Sequence, residues 1–88
     1  MVYVLDPLLI PERIHIVEKE FDDIVNYRDE NVTIDMCGIS YIDSMLMASL
    51  LRFRNRLFIS GRELQLLNCS EKVIAGLRLA EIEDCFII

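Results

Sequence analysis

Asp43 and Ser44 stand side by side where one kind of hydrophobic pattern gives way to another. The alternating run Val32-Thr33-Ile34-Asp35-Met36 is followed by Cys37-Gly38-Ile39-Ser40 and Tyr41-Ile42, and a helical pattern opens at Asp43-Ser44. Helix N-termini carry free backbone N–H groups and a partial positive charge, so an anion placed there is favoured. Ser44 therefore has the residue type and the position to receive a phosphate. Met45, Leu46 and Met47 make the tip beside it bulky and apolar, which suits a protein contact. The plainer role for Asp43 or Ser44 is a helix cap, worth about 0.5–2 kcal/mol.

Asp35, closing the alternating run, is a second carboxylate near this junction. Asp35 and Asp43 together are of the kind that holds a magnesium ion with phosphate oxygens. A strand-end acid and a capping acid account for both positions without one, so no metal and no other cofactor is expected. Nucleophile arrangements of the hydrolase type are missing: there is no Gly-x-Ser-x-Gly, no glycine loop to cradle phosphates, and a lone His15. The chain reads as a non-enzyme.

Cys37, Cys69 and Cys85 are far apart, form no CxxC, and cannot complete a zinc site with one histidine. They read as free thiols acting as small buried hydrophobes. Acidity is concentrated in the first half, with ten acidic and three basic side chains in residues 1–43 against five and six in residues 44–88. An acidic chain of net charge −6 is a poor nucleic-acid binder, because neutralising phosphates supplies most non-specific affinity. No apolar run is long enough to span a bilayer, and MVYVLDP lacks the basic start of a secretory signal. A cytoplasmic protein without membrane insertion is expected.

The elements that would hold the junction follow from periodicity. At 88 residues and 53% hydrophobic the chain is one small globular domain, residues 1–88. Val2-Tyr3-Val4-Leu5 predicts a strand, ended by Asp6-Pro7. Pro11 suits the first turn of a helix whose stripe is Ile10, Ile14, Val17, Phe21 and Ile24. His15, Glu18, Lys19, Asp22 and Asp23 fall on its polar side. The helix from about Asp43 to Ser60 rows up Leu46, Leu50, Phe53 and Leu57, with Met47, Leu51 and Phe58 beside them and Ser49, Arg52 and Arg56 outward. Gly61 stops it. Glu63–Leu67 reads as a strand, Ser70 caps a third helix presenting Val73, Ile74 and Leu77, and Cys85–Ile88 reads as a last strand. The order is βαβαβαβ, an α/β domain whose sheet carries its helices mainly on one face. Its terminal strands leave sheet edges on which two copies can pair as a homodimer.

Val32–Asp35, Tyr41-Ile42-Asp43-Ser44, the helix through Leu50-Leu51, Gly61, Glu63-Leu64 and the closing Ile82 and Phe86 together resemble the STAS domain. That family includes bacterial anti-sigma factor antagonists and the cytoplasmic domains of sulfate transporters. The resemblance covers nearly the whole chain, and its specific part is the hydrophobic-Asp-Ser junction. It implies that Ser44 corresponds to the serine phosphorylated by a partner anti-sigma factor that is itself a kinase, and that Asp43 and Asp35 match the family's two acids. The partners it implies are an anti-sigma factor or serine kinase and a serine phosphatase, in transcription signalling. The contact surface it implies is Asp35, Asp43, Ser44, Met45, Leu46 and Met47. Met45 and Leu46 stand where the antagonists have a small residue and glycine, and the later glycine is replaced near Ala80-Glu81. The closing helix of many members is absent from the match, and a first strand is expected to be missing too. A second implied role is that of an unphosphorylated subunit docking on a larger assembly, as STAS proteins do in lipid-transporting ATPase complexes.

Overall fold

The computed structural model describes all 88 residues. Three strands, β1 (Val2–Val4), β2 (Val32–Asp35) and β3 (Leu64–Leu67), pair in parallel in that order. The helices α1 (Ile14–Tyr27), α2 (Ser44–Ile59) and α3 (Glu71–Leu79) make the connections and the return. The α/β architecture is the one read from the hydrophobic pattern. Because every crossover returns to a parallel strand, α1 and α2 run the same way and end at the same edge of the sheet.

The register explains why one face is covered. Tyr3, Ile34 and Leu66 lie level across the sheet, and Val32 is level with Leu64. These point into one core with Val17, Phe21, Leu46, Leu50, Phe53, Leu57, Val73 and Leu77. The alternate residues Val2, Val4 and Leu67 stay exposed on the other face. Phe21 and Phe53 stack with ring centroids 4.1 Å apart, and Tyr3 meets Phe21 edge-on at 5.4 Å. That stack joins β1, α1 and α2 at the centre of the molecule.

Several local expectations need correction. Residues 83–85 form a 3-10 turn, and the expected last strand is reduced to one bridge, Ile87 against Gln65. The Leu66 N–H donates to the Ile87 carbonyl at 2.7 Å and the Ile87 N–H to Leu64 at 3.1 Å. Pro11 precedes α1, because Pro7–Leu9 form their own 3-10 turn capped by Asp6. Ser49 is buried, since α1 covers its flank of α2 and its hydroxyl donates to Glu18. Arg52 and Arg56 pair across the same seam with Glu18 and Asp22. Phe58, in contrast, is 63% exposed, and the Arg54 guanidinium lies 4.6 Å from its ring centre. Cys37 is exposed and Cys69 and Cys85 half-buried, so only the latter two pack as hydrophobes.

Helix ends are closed by two matching devices. After α2, the Gly61 N–H donates to Phe58 and the Arg62 N–H to Leu57, with Gly61 at φ 77°. After α3, the Glu81 N–H donates to Arg78 and the Ile82 N–H to Leu77, with Glu81 at φ 57°. Both are Schellman closures, in which a left-handed residue lets two free carbonyls find donors. A glutamate pays a steric cost in that conformation that glycine avoids. Glu81→Gly is expected to stabilise the fold by about 0.5–1 kcal/mol, read as a rise in Tm of several degrees. A fall in Tm would show that the Glu81 side chain contributes more than its backbone costs.

Candidate functional site

The site is assembled where the strands end and the helices begin. The Met36 N–H donates to Leu67 at 2.8 Å, and the Ile39 N–H returns to Met36 at 3.0 Å, turning the chain out of β2. Asp35 holds that turn. Its Oδ1 accepts from the Cys37 N–H at 3.0 Å and from the Asn68 side-chain amide at 3.1 Å. The Asn68 hydrogen bond, then the Cys37 N–H, hold the Asp35 carboxyl below the usual carboxylate range. Asp35 in turn raises the Cys37 thiol above its ordinary value, which disfavours the thiolate there.

Two glycines let neighbouring segments close on this loop. A Cβ on Gly38 would sit 3.0 Å from Pro7 Cδ and Cγ, so the Pro7 ring after β1 packs directly on the Gly38 backbone after β2. A Cβ on Gly76 would sit 2.7 Å from Ile42 Cγ2, so α3 packs against the residue just before the junction. Ile39 and Ile42 are buried anchors, and Tyr41 between them is 63% exposed. The Ser70 hydroxyl donates to the Ser40 carbonyl at 3.3 Å and accepts the Val73 N–H, tying the start of α3 to the same loop.

Asp43 is the N-cap of α2, its Oδ1 accepting the Leu46 N–H at 2.8 Å from an extended backbone. Ser44 is the first helical residue and exposed, and Met45 beside it is 53% exposed. Leu46 is not a surface residue. It is fully buried among the core residues of α2, because the turn that presents Ser44 outward rotates position 46 towards the sheet. Met47 is half-buried and packs against that core. The structure therefore presents Asp43, Ser44 and Met45 together, keeps Asp35 nearby as the brace of the turn, and removes Leu46 from the candidate contact surface. Tyr41 joins it, a residue that sequence reasoning read only as a lead into the helix.

The cleft next to the junction, between Pro7, Ile10, Pro11, Gly38, Tyr41 and Asp43, encloses about 90 Å³. Ligand pockets for small molecules run to roughly 300–1,000 Å³, so this is only a shallow notch. Asp35 and Asp43 each have an oxygen committed to hydrogen bonds, and no group of three or more His, Cys, Asp or Glu side chains is placed to hold a metal ion. No helix is long and apolar enough to cross a membrane.

Comparison with known proteins agrees with the fold. The solved NMR structure of the protein TM1081 is similar in fold, with a TM-score of 0.80 at 21% identity, over 97% of this chain and 69% of that one. No curated protein matches significantly in sequence. The family model of the STAS domain matches residues 1–88. The chain belongs to the STAS domain family.

Proposed function

We propose that this STAS domain is a cytoplasmic regulatory module of the anti-sigma factor antagonist type, whose binding to a protein partner is switched by phosphorylation of Ser44. The observation that carries the reading is an exposed serine at the first position of α2, flanked by exposed Tyr41 and Met45. Asp43 does the capping, so modification of Ser44 need not cost the helix its cap. A serine kinase partner transfers the γ-phosphoryl of ATP to the Ser44 oxygen and releases ADP, and a serine phosphatase returns the hydroxyl by hydrolysis.

The added group brings about −1.5 to −2 charges. The helix terminus offsets only about 0.3–1 kcal/mol of this, against repulsion from adjacent Asp43. The domain stays folded. At a docked surface the same charge must lose its water, and an unpaired buried ion costs several kcal/mol. Unmodified protein therefore binds and sequesters its regulator, and phosphorylated protein releases it. With a candidate anti-sigma kinase and ATP, intact mass is expected to rise by one phosphate, lost in Ser44→Ala. Partner affinity is expected to fall about 100-fold on phosphorylation, with Tm nearly unchanged. No phosphate on Ser44, or equal affinity of both forms, overturns the switch.

Exposed Tyr41 and Met45 favour a second reading, a permanent contact in a larger assembly such as a lipid-transporting ATPase complex. In that case the same mass experiment gives no modification, and Met45→Asp detaches the subunit.

A further inference from the structure

We infer that two copies of this chain pair antiparallel along β1, joining their sheets across a twofold axis. β1 is an edge strand. The Thr33 N–H donates to Met1 at 2.8 Å and the Leu5 N–H to Asp35 at 3.1 Å, so the odd-numbered residues of β1 face β2. By the alternation of a parallel ladder, the N–H and C=O groups of Val2 and Val4 face away from the sheet. Protein edges are commonly blunted by lysine, proline, a bulge or a covering segment. Val2-Tyr3-Val4 carries none of the first two, and its valines are 64% and 62% exposed.

What selects a second copy is the charge beside this edge. A groove of about 550 Å³ runs between β1 and α1, with Tyr3, Ile24 and the 80% exposed Tyr27 among its walls. Because α1 runs opposite to β1, Arg28 stands level with the start of the strand and Glu20 further towards its end. Glu20 lines the groove with Tyr3, and Asp6 follows the end of β1 by two residues; burial first, then Glu20, and to a smaller degree Asp6, push the Tyr3 phenol up. Glu20 and Asp6 make no ion pair within the chain, and Arg28 has only a long one, 3.6 Å, to Glu30. Antiparallel pairing sets Arg28 of each copy against the acidic end of the other, twice by symmetry. Parallel pairing of the same edge would put the two α1 helices on opposite faces of the joined sheet and bring no such charges together.

Sedimentation of the full chain tests this. At about 100 μM the protein is expected to be mostly dimeric and to dissociate on dilution. Val4→Pro deletes an outward N–H while sparing the bonds to β2, and is expected to give a folded monomer; Val4→Lys does the same should proline disturb the strand. Arg28→Glu is expected to weaken dimerisation about tenfold, and adding Glu20→Arg to restore it to within about threefold. A wild-type monomer at about 1 mM, a dimer indifferent to both Val4 variants, or a charge exchange that restores nothing each overturns the proposal.

Discussion

Arg62→Met is expected to destabilise the protein by about 3–5 kcal/mol and lower Tm by more than about 10 °C, although residue 62 is remote from the Ser44 surface. Arg62 is only 6% exposed and has no carboxylate partner. It donates instead to three carbonyls at the end of α1, Arg28 at 2.6 Å, Val25 at 3.0 Å and Ile24 at 3.4 Å, and to Ser60 Oγ at 3.0 Å. The Ile24 carbonyl also accepts the Arg28 N–H, whereas Val25 is among the residues whose carbonyls a helix leaves free and Arg28 is the C-cap, so the guanidinium sits at the negative end of the dipole. Arg62 thus closes α1 while its own backbone N–H closes α2. Methionine keeps much of the volume and supplies no donor, so the Val25 and Arg28 carbonyls lose this partner at about 1–3 kcal/mol each, less what water recovers, while Ile24 keeps the Arg28 N–H. Lysine carries the charge but not the planar fork, and is expected to restore under half of the loss. Thermal unfolding of the two variants checks this. A Met variant within about 0.5 kcal/mol of wild type would mean that water satisfies the carbonyls unaided.

Arg62 also marks the boundary of what one sequence can reveal. The stripe Ile14, Val17, Phe21 and Ile24, the Asp43 and Ser70 caps and the Gly61 stop were legible because each is decided within one turn or one helix face. Arg62 carries no local signal of its role, which exists only once the parallel crossovers bring the ends of α1 and α2 together. Ser49 and Arg52 fail the same way, since their outward side is the seam with α1, and the ion pair to Glu18 at 2.6 Å exists only once both helices are placed. Phe58 errs in the opposite direction: its spacing places it beside the core row, but it lies on the last turn of α2 and is left exposed. At the candidate site, Asp43 and Ser44 were found from local pattern, while the Asp35–Asn68 brace and the Gly38–Pro7 contact depend on three loops meeting.

Leu46→Ala is expected to cost about 3–5 kcal/mol, and Leu46→Gly about 1 kcal/mol more, because this residue belongs to the core although it stands two places after Ser44. Its side chain is fully buried, and its N–H is the one that Asp43 caps. Small domains have about 5–15 kcal/mol of stability in all, and one of 88 residues belongs near the lower end. The glycine that STAS antagonists carry at this position would therefore leave this chain largely unfolded. Met45→Ala provides the contrast. Half exposed and away from the core, it is expected to change stability by no more than about 0.5 kcal/mol. Denaturant unfolding separates the two, with a lower midpoint and unchanged slope for Leu46→Ala. Partner binding measured on the folded fraction should then respond to Met45 and not to Leu46. If Leu46→Ala leaves the midpoint in place but abolishes binding, position 46 is a contact after all, and the surface around Ser44 must be redrawn to include it.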